Sequence, residues 1–259
     1  MAAKPENSNT NLERKGKLSF DKSLSCPNET GENPTTFKTH VFRGTFENKM
    51  FACIRRYEKD SLKLNLMCHT RETPPGEGKA IDEIQRDIDV LQQPKHLQEN
   101  FIRYLCSEKD DDFFYVATEW CICSVEDLYE GKGNGFNWAK EKIDKELIKE
   151  SLGEKEILRQ AAEGLAFLHA LGFVHRNLKP SNFLIAQLQQ FRCDRFHYLV
   201  KLSDFRMSKK PIDCPIVSDT KGSKGWTYPK PATLNTEAKT STYTSAGMYF
   251  SLVAFFITF

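Results

Sequence analysis

His175-Arg176-Asn177-Leu178-Lys179-Pro180-Ser181-Asn182, followed after two short apolar runs by Ser203-Asp204-Phe205-Arg206, is the stretch on which the fold reading turns. It concentrates side chains that handle protons, phosphates and divalent cations: an imidazole, a lysine, two amides and a carboxylate. The residues before it, Glu154 to Leu171, form a helical pattern. Ile157, Leu158, Ala161, Leu165 and Leu168 fall on one apolar stripe, and Gly172 supplies the stop. The residues around it, FVHRNLKPSNFLIA (173–186) and YLVKLSDF (198–205), alternate short strand and loop.

Upstream the periodicity changes to that of strands. THVFRGTF (39–46) and KMFACIRRY (49–57) are separated by Gly44 and the turn Glu47-Asn48-Lys49, which predicts a hairpin. KLSF (17–20) is a further short extended segment, and residues 57–80 read partly as loop because of Pro74-Pro75-Gly76-Glu77-Gly78. A helix is predicted from Ile81 to Gln92, with Ile84, Ile88 and Leu91 on one face. Two more strand-like runs, FIRYLCSE (101–108) and FFYVATEW (113–120), are joined by the acidic turn Lys109-Asp110-Asp111-Asp112. The charged residues 139–156 read as a solvated helix or insertion, and the polar residues 1–17 as a disordered lead-in. Strands first and helices later predict an α+β protein of two unequal lobes, a small β-rich N-lobe over 18–120 and a helical C-lobe over 121–259.

Composition sets the outer limits. The 259 residues are 39% hydrophobic and 28% charged, enough for a packed core and against global disorder. With 37 Lys+Arg against 35 Asp+Glu the net charge is +2, so a strongly basic nucleic-acid surface is not indicated. The eight cysteines include no CxxC pair, which argues against a zinc site and for reduced thiols. The N-terminus lacks the apolar region of a signal peptide, so an intracellular, cytoplasmic location is expected.

The quoted stretch resembles the catalytic loop HRDLKPxN and the DFG motif of protein kinases, with seven of the eight residues from His175 to Asn182 in place. The segments 164–185, VFRGTFENK (41–49), 100–120, SDFRMSKK (203–210), GWTYP (225–229) and TYTSAGMYF (242–250) narrow the likeness. They are similar to the inositol-requiring kinase–endoribonuclease sensor of the unfolded protein response and its relative RNase L. The likeness covers residues 17–259, with insertions near 57–80, 131–153 and 187–197. It implies ATP and magnesium as cofactors. Asn182 and Asp204 then hold the metal, Lys179 meets phosphate, and Thr118, Glu119 and Cys121 lie along the gatekeeper and hinge that receive adenine.

The departures from the family fall on the catalytic parts. Asn177 stands where an aspartate accepts the substrate's proton, and Arg206 stands in place of the DFG glycine, where it could neutralise Asp204 without magnesium. The glycine-rich loop is not recognisable in Asn33-Pro34-Thr35-Thr36-Phe37-Lys38. Anchored on Ala52, the slot of the phosphate-pairing lysine falls on Ile54. A one-residue slip would present Arg55, and Arg56 shares a face with Ile54. The lysine's glutamate partner aligns with Asp87.

Residues 240–259 are uncharged and apolar, and they read as the central helix of a C-lobe that stops incomplete, in preference to a membrane tail anchor. Ser208, Ser218, Thr220 and Ser223 are candidate phosphosites. The expected function is that of a pseudokinase binding a protein partner or another copy of the fold, with weak or absent ATP binding. The alternatives are an active serine/threonine kinase using Arg55 or Arg56, and a truncated product without function.

Overall fold

Strand periodicity dominates the first half of the chain, and it produces one antiparallel sheet. The computed structural model describes residues 12–27, 39–59, 77–94, 98–130, 144–189 and 196–210, which cluster into two compact units. The first unit holds strands β1 (Leu12–Lys15), β2 (Leu18–Pro27), β3 (Thr39–Phe46), β4 (Met50–Glu58), β5 (Tyr104–Lys109) and β6 (Phe113–Glu119). Their order is β1-β2-β3-β4-β6-β5.

The β3–β4 hairpin forms as its sequence predicts. Glu47 and Asn48 both take positive φ (51° and 55°), a turn whose twist matches that of paired strands. One face of the sheet closes over Leu18, Phe20, Phe42, Ala52, Ile54, Tyr115 and Ala117. Gly44 is required there, because a Cβ would sit 2.4 Å from the Ser19 carbonyl and 2.5 Å from Ile54 Cδ1.

The lead-in expected through residue 17 is a correction: β1 pairs with β2 from Leu12↔Asp21 to Lys15↔Leu18. The turn is made by Gly16, whose φ of 53° suits glycine. Lys15 Nζ reaches Asp110 Oδ2 at 2.6 Å, tying β1 to the acidic turn. Asp110 also accepts from the Phe113 amide (2.8 Å), the Asp112 amide (3.0 Å) and the Tyr115 hydroxyl (3.0 Å). Burial alone would raise its pKa. Lys15 and these donors instead bring it down to about 2.

The second unit holds α1 (Glu77–Leu91), β7 (Cys123–Ser124), α2 (Val125–Glu130), α3 (Lys145–Ala170), β8 (Phe183–Gln189) and β9 (Phe196–Leu202), with a 3₁₀ turn at Pro180–Asn182. It takes in Thr70–Tyr104, so α1 groups with this unit and not with the sheet that surrounds it in sequence. The described part of the charged segment 139–156 is the start of α3, capped by Asp144 Oδ1 accepting from the Leu147 amide at 3.0 Å. Gly153 (φ 64°, ψ 156°) is non-helical, so α3 consists of two helical segments joined across a kink at that residue.

The buried stripe of α3 differs from the expected one: Gln160 and Gly164 are buried, while Leu158 is only half-buried. Gln160 Oε1 accepts from Asn100 Nδ2 (3.0 Å) and from the Val200 amide (2.7 Å), and Asn100 Nδ2 also donates to the Val200 carbonyl at 2.9 Å. Backbone bonds from Leu202 N to Asn100 O (2.9 Å) and from Ile102 N to Leu202 O (3.0 Å) complete the junction of α3, β9 and residues 100–102. The glycine-loop residues 33–38 and the apolar stretch 240–259 lie outside the described residues. Among those described, no helix is long and apolar enough to cross a membrane.

Gly164 lies against this junction, where an added Cβ would stand 2.4 Å from Asn100 O and 3.2 Å from Leu202 Cβ. Gly164→Ala is expected to destabilise by about 1–3 kcal/mol, the usual effect of overpacking a filled site, read as a lower urea midpoint.

Candidate functional site

The loop between α3 and β8 is folded by its own polar groups. Gly172 (φ 80°) turns the chain out of the helix, and Val174 then pairs with Lys209 through backbone bonds of 2.8 and 3.1 Å. His175 is fully buried, with Nε2 3.0 Å from the Ser203 carbonyl and Nδ1 accepting from the Asn177 amide at 3.3 Å. This pattern requires the neutral tautomer that carries its proton on Nε2. Burial accordingly holds the His175 pKa below its ordinary value.

Asn182 joins the two motifs. Its Nδ2 donates to the Asn177 carbonyl at 2.7 Å. Its own carbonyl accepts from both the amide and the hydroxyl of Ser203, each at 2.9 Å. Phe205 is buried beneath them, its ring stacked on Phe101 (4.5 Å, 11°) and edge-on to His175 (5.5 Å).

Asp204 adopts φ 64°, a left-handed conformation uncommon outside glycine. Arg206 grips its carboxylate with two bonds, Nε to Oδ1 at 2.6 Å and Nη2 to Oδ2 at 3.1 Å. Asn177 Nδ2 lies 3.4 Å from Oδ2. Helix α1 holds the same segment by its backbone: Asp87 Oδ1 accepts from the Phe205 amide at 2.8 Å, and Arg86 Nη1 donates to the Arg206 carbonyl at 3.3 Å.

Among the sequence-predicted residues, the structure brings Asp87, Asn177, Asn182 and Asp204 together in the second unit. Lys179, half-buried, precedes the 3₁₀ turn, and Cys121 is buried just before β7. In the first unit Ile54 takes the expected lysine slot on β4, opposite Ala117, and its side chain is sealed in the apolar core. Arg55 pairs with Val116 and, one residue on, points to the other face. The Arg56 guanidinium lies between the rings of Phe42 (4.9 Å) and Phe113 (4.4 Å). Thr118 and Glu119 end β6, both buried.

Ser208 is buried, so its hydroxyl is not presented as a phosphosite; Ser218, Thr220 and Ser223 lie outside the described residues. Cys53, Cys106, Cys121 and Cys123 are reduced, and burial raises the thiol pKa of Cys106 to about 11 and of Cys123 to about 12. The sequence reading missed Arg86 and Phe101, whose partners are distant in the chain.

Comparison with known proteins agrees with this geometry. The sequence pattern of the protein kinase domain matches residues 48–258, and the chain belongs to that family. It is 30% identical over 198 residues to the serine/threonine-protein kinase/endoribonuclease ire-1 of Caenorhabditis elegans, covering 74% of this chain and 17% of the relative. The sensor for unfolded proteins in the ER, ire1, of Schizosaccharomyces pombe is 32% identical over 155 residues, 58% of this chain and 13% of that protein. The human kinase/endoribonuclease IRE2 is 29% identical over 196 residues, 74% of this chain and 17% of that protein. The chain thus spans less than a fifth of the length of these relatives.

A kinase domain in general binds ATP with magnesium, and this donor set does not fit the metal. Magnesium is usually held by one or two carboxylates together with substrate phosphates. Here the one carboxylate of the metal motif, Asp204, is already neutralised by a guanidinium.

Two outcomes follow from the buried groups. Ile54→Ala should lower stability by about 2–5 kcal/mol, and Ile54→Lys should also destabilise, because it places an ammonium among apolar side chains. Urea unfolding reads both. His175 has a folded pKa below the 6.5 of the free imidazole, so the unfolded chain takes up the proton first. Its contribution is complete above pH 6.5 and is lost as the pH falls below that value. The drop in urea midpoint between pH 7.5 and pH 5 should shrink in His175→Gln.

Proposed function

We propose that this chain is a pseudokinase: a kinase-fold module that binds a protein partner or a further copy of its fold, works inside the cell on the cytoplasmic side, and takes up ATP weakly or not at all. The observation that carries the reading is Asn177. At the proton-accepting position stands an amide that has no basic site and turns its nitrogen, a donor, toward Asp204. Loss of general-base assistance alone typically costs about 10²–10⁴-fold in rate. Ile54 adds a second deficit, because the slot that should carry a phosphate-pairing cation is apolar and sealed.

The binding role draws support from the first unit. Phe51 is 58% exposed, and the Arg43 guanidinium lies between its ring (4.7 Å) and that of Trp120 (4.9 Å). Exposed aromatic–arginine clusters of this kind are the usual anchors of protein interfaces.

One observation favours the rival reading of an active serine/threonine kinase: His175, Lys179, Asn182 and Asp204 are all retained. A radiolabel phosphorylation assay with ATP and magnesium, paired with a thermal-shift titration by ATP, separates the two. The expected result is no transfer by the wild type, and none by Asn177→Asp, since restoring the base leaves Ile54 and Arg206 in place. Turnover that Asp204→Ala abolishes overturns the proposal, and loss of labelling in Arg55→Ala or Arg56→Ala would then identify the substitute cation.

A further inference from the structure

We infer that Arg206 is a built-in replacement for the divalent cation, so that the site around Asp204 is closed to metal by the chain's own guanidinium. The pairing is two-pronged and short, with Nε–Oδ1 at 2.6 Å and Nη2–Oδ2 at 3.1 Å, so both carboxylate oxygens face the same planar cation. The two side chains keep only 12% (Asp204) and 25% (Arg206) of their exposure, so the contact is partly shielded from water, unlike a loose surface pair. A metal seeking Asp204 has to displace a partner that is covalently tethered two residues away and therefore always at hand.

The surroundings hold that geometry from the backbone side. Asp87 Oδ1 fixes the Phe205 amide (2.8 Å), Arg86 fixes the Arg206 carbonyl (3.3 Å), and the stacked Phe101 and Phe205 rings anchor the residue between them. Asn177 Nδ2 also approaches Oδ2, at 3.4 Å. Asn182, the remaining candidate metal ligand, directs its side-chain nitrogen to the Asn177 carbonyl and its main-chain oxygen to Ser203. The carboxylate of Asp204 and the side-chain nitrogen of Asn182 are thus both engaged by internal bonds. Arg86 and Asp87 act on this site as positioning residues.

The inference rests on the non-catalytic reading, and the two fail separately. A wild type that binds metal overturns this inference without producing phosphoryl transfer, whereas transfer overturns both. The experiment titrates the full chain with Mn²⁺, without nucleotide, and follows free Mn²⁺ by its paramagnetic resonance signal. Wild type, Arg206→Gly, Arg206→Gln, Asp204→Asn and the double variant Arg206→Gly/Asp204→Asn are compared. The wild type is expected to show no saturable uptake below millimolar Mn²⁺. Both Arg206 variants should bind at least about tenfold more tightly, and the double variant should lose that gain. Equal binding by wild type and Arg206 variants overturns the inference, as does a cooperatively melting Arg206 variant that gains nothing. Should neither Arg206 variant fold, the wild type decides alone: saturable uptake lost in Asp204→Asn overturns the inference, and its absence supports it.

Discussion

A carboxylate withdrawn from water must be met by positive charge or by hydrogen-bond donors, and Asp204 imposes that demand at the centre of the second unit. The effective penalty for an ion buried without such partners is several kcal/mol. Arg206 answers with two bonds to the carboxylate, which fixes the path of the intervening residue and sends Phe205 onto Phe101. The left-handed φ of Asp204 is tolerated because everything around it is held: Ser203 to Asn182, Phe205 to Asp87 and Arg206 to Arg86. Remove the guanidinium, and the carboxylate has to find another cation or lose its place.

Asp87 meets the same demand by a different route. Its carboxylate is one methylene shorter than the family's glutamate, and the donor it receives is a backbone amide at 2.8 Å. A backbone amide belongs to the chain, so the contact joins α1 to the segment 203–206 without a bound cation. That bond, with those of residues 100–102 to β9, explains why α1 belongs to the second unit although strands of the first unit flank it in sequence.

These long-range bonds also mark the limit of what the sequence reveals. The β3–β4 hairpin, the buried face of α1 and the polar loop from His175 to Asn182 are local features, set by turn residues, periodicity and motif order, and all were legible. The Arg206–Asp204 pair was legible too, since only Phe205 separates its members. Strand β1 was not, because its pattern is polar and Leu12 stays half exposed, while its anchor Asp110 lies far along the chain. Gln160 broke the apolar stripe in a way that periodicity cannot reward, since its burial depends on Asn100 and Val200. Arg86 reaches a partner 120 residues away, and no spacing rule finds such a contact.

Retention and loss within the kinase pattern follow one physical division. Of the side chains kept from the family, His175, Asn182 and Asp204 each carry a buried hydrogen bond or ion pair that the fold itself needs, while Lys179 is kept half-buried. Asn177 replaces a residue whose structural bonds are made by its backbone, the amide to His175 and the carbonyl to Asn182, and those bonds do not depend on the side chain. Ile54 fills an apolar core better than a lysine would. The side chains of His175, Asn182 and Asp204 face the protein, and the bonds they make serve the shape of the loop whatever the chemistry of the site.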